Sequence, residues 1–203
     1  MNSRFSGFWH FRHAASVLVT GLLLLPTLAA AGEQPAAEAG HPELSLFDGE
    51  TLAGWTVENG AKAEVVDGTL KLVDGDGWLR TDHTYTDFRL HLEWMALGED
   101  GYDAGIYIRT QEGGAPFPKD GWQINLLKGK EGWLGRLKAE HKLPVNPPRE
   151  WNTFDITVVG DTVTLDVNGK RAYSVSGLKS PAGYVGLQCE VPLGGQFQFR
   201  NIR

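Results

Sequence analysis

Three stretches between Asp87 and Lys128 alternate apolar and polar residues with a period of two, the pattern of strands with one buried face. In the first, Phe88, Leu90, Leu92 and Trp94 alternate with Arg89, His91 and Glu93. In the second, Ile106 and Ile108 alternate with Tyr107 and Arg109; in the third, Trp122, Ile124 and Leu126 alternate with Gln123 and Asn125. If the three apolar sets face one core, the other face gathers His91, Glu93, Tyr107, Arg109, Gln123 and Asn125. That polar face is where function is expected.

The same alternation runs through the rest of the chain from ELSLF (43–47) onward. Asp67-Gly68 and Asn168-Gly169 are two-residue hairpin turns, because both central positions of such a turn need positive φ. Asp74–Gly77 (DGDG) reads as a turn and not a calcium loop: the twelfth position from Asp74 is Tyr85, where a bidentate Glu is required. WNTFDITVVG, TVTLDV, KRAYSV, GYVGLQCEV and QFQFRNI continue the strands. Between Lys128 and Glu150, Pro144, Pro147 and Pro148 break regular structure, leaving a long loop with one short strand around 133–137 and with Trp133 and His141 as its notable residues. No segment carries a capped helical period. About a dozen short strands, 26 glycines and no predicted helix point to an all-β protein, an antiparallel β-sandwich of jelly-roll type.

Residues 1–31 stand apart from this pattern. Arg4 and Arg12 precede an apolar run from Ala14 to Leu25, then Pro26 and Ala29-Ala30-Ala31. This is the layout of a secretory signal peptide cut after Ala31, the run being short for a membrane span. Residues 32–42 read as a flexible leader and 43–203 as one domain, so the mature chain is expected in the periplasm or outside the cell. Removing 1–31 leaves 17 basic against 25 acidic side chains, a net charge of −8. Such a surface disfavours nucleic acid and anionic membrane as partners. Cys189, the single cysteine, alternates with Gln188 and Glu190 and reads as a small buried hydrophobe.

The available chemistry is that of side chains converging on a sheet face, since no nucleophile elbow, P-loop, dinucleotide fingerprint or zinc helix is present. Gln188 and Glu190 share the polar parity of their strand. Amides and a guanidinium at Arg109, Gln123, Asn125 and Gln188 suit the hydroxyls of a carbohydrate ligand, and Trp133 suits stacking on a sugar ring. Glu93 and Glu190 are candidate acid/base carboxylates, with His91 and His141 as titrating alternatives. A His/Glu set is equally compatible with a divalent metal.

Six segments together resemble one family: LFDGETLAGW (46–55), VVDGTL (65–70), LRTDHTYTDFRLHLEW (79–94), AGIYIR (104–109), EWNTFDITVVGDTVTLDVNGK (150–170) and GYVGLQ…FRNIR (183–203). They look like the 3-keto-disaccharide hydrolase domain family, exported bacterial proteins. The resemblance implies a concanavalin-A-like jelly roll and activity on 3-keto-glycosides. There the ketone acidifies the neighbouring C–H, so elimination followed by hydration breaks the glycosidic bond, with a metal as a conceivable aid. Glu93, Arg109 and Gln188 match the family pattern. The family's Asn-Ser-Gly is Asp103-Ala104-Gly105 here, its Gly-Tyr-Glu-x-Gln is Gly121-Trp122-Gln123-Ile124-Asn125 with Lys128 near a usual acid, and its Leu-Gln-x-His is Leu187-Gln188-Cys189-Glu190. Asp103 and Glu190 then stand as substitute catalytic carboxyls. The alternative expectation is a non-catalytic, lectin-like carbohydrate-binding module on the same face.

Overall fold

Alternation along the strands resolves into two antiparallel sheets that face each other across one core. The structure is a computed structural model describing residues 43–119, 122–135, 143–190 and 196–203. The expected signal peptide and leader lie outside the described residues. Among the described residues there are twelve strands and no helix.

The five-stranded sheet runs β1 (Trp55–Asn59), β4 (Asp76–Thr81), β11 (Tyr184–Glu190), β6 (Ala104–Thr110), β7 (Trp122–Asn125). The seven-stranded sheet runs β10 (Lys170–Ser176), β9 (Thr162–Val167), β8 (Asn152–Val159), β5 (Phe88–Ala96), β12 (Phe197–Arg200), β3 (Thr69–Asp74), β2 (Lys62–Val66). Every neighbouring pair is antiparallel. This is the sandwich expected from the sequence. The turns at Asp67-Gly68 and Asn168-Gly169 carry positive φ at both residues, as their hairpins demand.

The core is filled from both inner faces. Leu90, Leu92 and Trp94 of β5 meet Ile106, Ile108, Leu187 and Cys189 of the other sheet, with Phe154, Phe197 and Phe199 around Trp94. Cys189 is fully buried, its thiol against the carbonyls of Lys62, Asp74 and Gly75. Apolar burial on this scale is the main stabilising term of a fold without disulfides.

One consequence of the topology decides where the site lies. The strands β5 and β6 are consecutive in the chain but belong to different sheets. Their polar faces therefore point to opposite sides of the sandwich, and the single polar face expected from the sequence is two.

Candidate functional site on the outer face of the five-stranded sheet

The register of β6 fixes the layout. Gly105 pairs with Gln188 on one side and Asn125 on the other, while Tyr107 pairs with Gly186 and Gln123. Gly105 leaves a gap that Gln123 fills: a Cβ there would lie 2.2 Å from Gln123 Nε2. Lying flat across Gly105, Gln123 donates Nε2–H to Gln188 Oε1, and Gln188 Nε2 donates to Glu190 Oε2 at 2.9 Å. A chain of two amides thus ends on a carboxylate.

A second gap, at Gly186, is filled by Trp78 of β4, whose Cε3 would sit 2.8 Å from an added Cβ. Trp78 and Tyr107 meet edge to face, centroids 5.8 Å apart. Both are buried although their strand positions point outward (1% and 5% exposed). A strap formed by residues 111–119 crosses this part of the sheet. Glu112 accepts from the Tyr184 hydroxyl at 2.6 Å and pairs with Arg80 at 3.3 Å, and Asn59 donates to the carbonyls of Gly114 and Pro116.

On the other flank the chain after β7 folds back as an extra edge. Leu134 bridges Ile124, Asn125 N–H donates to Trp133 O, and Gly135 N–H donates to Gln123 O. Leu134 is buried, so Trp133 is turned to the outer side, half-buried, with Lys130 Nζ 5.7 Å from its ring centroid. Tyr102 donates its hydroxyl to buried Glu131 at 2.6 Å and thereby ties this hairpin to the residue preceding Asp103.

Three groups of the site have raised pKa values. Burial pushes the Glu190 carboxyl above the usual range, and Asp103 and Asp76 push it the same way. Burial also raises Asp103, against the opposing pull of Lys130 and the Ala104 amide. The Tyr107 hydroxyl is pushed well up by burial, then by Glu190 and Asp103. Carboxyls raised above their usual range, near a phenol that stays protonated, are suited to moving protons.

Tyr107, Gln123, Gln188 and Glu190 thus lie on one face, and Asp103 and Trp133 come to it as well. Asn125 lies there too, but its Oδ1 accepts from Leu127 N–H at 2.6 Å and shapes the turn after β7. Three expectations are corrected. Glu93 and His91 are on the outer face of the seven-stranded sheet, on the far side of the sandwich. Burial raises the Glu93 pKa, but Asn201 at 2.5 Å and Arg200 at 2.7 Å outweigh it and hold the group ionised. His91 Nδ1 is 2.9 Å from Asp155 Oδ1. Arg109 is not on the polar face at all. The register of β6 against β11 slips between Tyr107 and Thr110, Arg109 takes φ 47°, and its guanidinium is 1% exposed. It donates to the carbonyls of Thr86 and Gly160 at 2.6 Å, to Ser180 O at 3.1 Å and to Asp87 at 2.8 Å. Lys128 caps Glu99 O and pairs with Asp100. His141 lies outside the described residues. Trp78, Asp76, Lys130 and the Tyr102–Glu131 pair were not singled out in the sequence; the one signal for Trp78 is its polar-side parity with Arg80.

Among the described residues no three His, Cys, Asp or Glu side chains gather closely enough to hold a metal ion.

Known proteins share this architecture. A proposed glycosyl hydrolase from Parabacteroides distasonis is 25% identical, with a TM-score of 0.60 over 77% of this chain and 90% of that one. A carbohydrate-binding module from Bacillus subtilis is 18% identical, TM-score 0.60, covering 73% of this chain and 93% of that one. A β-glucanase from Bacillus licheniformis is 12% identical, TM-score 0.55, over 78% and 94%. The last two likenesses are of fold alone. No curated protein matches the chain. The family model and the glycosyl-hydrolase likeness place the chain among carbohydrate-active proteins. Residues 43–203 match the model of the 3-keto-alpha-glucoside-1,2-lyase-like domain, and the chain belongs to that family.

Proposed function

We propose that this protein cleaves the glycosidic bond of 3-keto-glycosides at the outer face of the five-stranded sheet. The observation carrying this reading is the pair Asp103 and Glu190, each raised by burial and with Asp103 raising Glu190 further, beside the Gln123–Gln188 amides. Gln188 donates to Glu190 and orients it, so we assign Glu190 as the base and Asp103 as the acid. Glu190 takes the proton on C2, which the C3 ketone acidifies. Once that proton is removed, electron flow ends in a C1=C2 double bond as the C1–O bond breaks, and the departing oxygen is protonated by Asp103. Addition of water to the double bond then completes hydrolysis. The amides orient sugar hydroxyls, and Trp133 offers a face for the ring.

The test is turnover of 3-keto-trehalose and methyl 3-keto-glucoside by the wild type and by Glu190→Gln. A loss of about 10²–10⁴-fold in the variant is expected for removal of a general base. The second reading, a carbohydrate-binding module, draws on Gln123, an uncharged amide engaged with Gln188 in the middle of the face. Sugar binding without turnover in the wild type selects it. Export is part of the first reading, supported by Arg4, Arg12, the apolar run to Leu25 and the Ala29–Ala31 tail. A mature N-terminus at Gly32 in secreted material is the expected result; retention of Met1 refutes it.

A further inference from the structure

We infer that the Tyr107 hydroxyl is the hydrogen-bond donor that receives the substrate's carbonyl oxygen and holds it as the enolate. The ring is nearly buried, edge to face with Trp78, which fixes its direction. Its hydroxyl has no hydrogen-bond partner among the described residues. Solvent nevertheless reaches the oxygen, since the sealed, unpaired side-chain atoms are Trp94 Nε1 and Thr110 Oγ1. A hydroxyl that is open to solvent on a ring held in place by packing is free to donate to a ligand that displaces the water. Neighbouring donors are already engaged: Gln123 with Gln188, and Gln188 with Glu190.

Burial, and then the charges of Glu190 from β11 and of Asp103 just before β6, keep the phenol protonated. A protonated phenol near two carboxyls is the arrangement for proton abstraction next to a carbonyl. The carboxylate takes the α-proton, the C–H pair becomes the C2=C3 bond, and the carbonyl π pair moves onto O3, where Tyr107 O–H donates to it. The O3 pair then re-forms the C3=O bond, the C2=C3 pair becomes the C1=C2 bond, and the C1–O pair leaves with the oxygen that Asp103 protonates. Placing a fixed donor where charge develops stabilises the transition state more than the ground state.

This inference rests on the proposed reaction, and its test separates the two. The probe is the 3-keto derivative of 1,5-anhydroglucitol, which has an acidic C2–H but no leaving group at C1. Exchange of that hydrogen in D₂O, followed by proton NMR, reports enolisation without cleavage. The wild type is expected to catalyse exchange, and Tyr107→Phe to slow it by about 10²–10³-fold, the range for loss of one oxyanion donor. Because the hydroxyl has no protein partner among the described residues and is open to solvent, the variant's melting temperature should equal that of the wild type. Exchange by Tyr107→Phe at the wild-type rate overturns the inference. A wild type that cleaves methyl 3-keto-glucoside but does not exchange the probe also overturns it, while leaving the cleavage reading in place. A wild type that does neither removes both.

Discussion

Arg109 offers the sharpest test of the geometry, because sequence parity and structure assign it opposite roles. As a sugar ligand, its loss would weaken binding and leave stability alone. As built, its guanidinium joins three separate segments through the carbonyls of Thr86, Gly160 and Ser180, with Asp87 as a solvent-facing fourth partner. Hydrogen bonds from a charged donor contribute roughly 1.5–3 kcal/mol each, of which the loop carbonyls regain part from water once the side chain is gone. Arg109→Ala should therefore cost about 3–5 kcal/mol, a large share of the roughly 5–15 kcal/mol that holds a domain folded. The backbone at φ 47° supplies an internal control. Arg109→Gly removes the same side chain but relieves the left-handed strain, so it should be more stable than Arg109→Ala by about 1 kcal/mol. Urea unfolding followed by tryptophan fluorescence gives the midpoints, and sugar binding is measured well below them. An Arg109→Ala protein with an unchanged midpoint and abolished binding would refute the structural assignment.

Other expectations follow from the same contacts. Glu93→Gln should leave turnover intact and lower stability at neutral pH. Its native pKa is depressed, so its contribution is present above the unfolded pKa and lost as pH falls through the folded one; the melting difference should vanish in acid. Glu190→Gln should do the reverse. Its folded pKa is raised, so ionisation opposes folding as pH rises past the ordinary carboxylate range, and the variant should melt higher than the wild type at pH 7 but not at pH 4. Equal melting temperatures at both would show that Glu190 is not desolvated. Trp133→Ala should weaken binding of a 3-keto-glucoside by about tenfold, equivalent to about 1.4 kcal/mol, in calorimetric titration. Unchanged affinity would remove Trp133 from the site.

Most of the fold could be read from period-two alternation, since side-chain parity within a strand follows directly from backbone geometry. Gln123, Tyr107, Gln188 and Glu190 therefore lie on the outer side of their strands, as read. Parity does not say which sheet a strand joins. Nothing local distinguishes Phe88–Ala96, which enters the seven-stranded sheet, from Ala104–Thr110, which enters the five-stranded one. That is why Glu93 and His91 were grouped with residues on the other side of the molecule. Arg109 failed for a different reason. A slip in register and one positive φ re-aim a single side chain, and no residue near it carries the glycine that would announce such a turn. The Tyr102–Glu131 bond and the Lys130–Trp133 contact depend on a loop whose path no periodicity encodes.

Whether the outer face of the five-stranded sheet is a built site or a solvated surface can be argued from two glycines. Gly in a strand interior weakens the strand by roughly 0.5–1 kcal/mol relative to Ala, and it is usually explained by a positive φ or by close approach of something else. Neither Gly105 nor Gly186 has a positive φ. What occupies the missing Cβ volume is Gln123 at one and Trp78 at the other. Both glycines therefore serve to let a large side chain lie flat on the sheet, and both lie beside Gln188 or Tyr107 in the register. A surface meant only for water needs neither gap, because polar side chains standing upright satisfy it at no cost to the strand. Filling the Gly105 gap with a methyl group would lift Gln123 away from Gln188 and separate the amide chain from Glu190, while leaving the core beneath untouched. The two glycines thus set how Gln123 and Trp78 lie on this face.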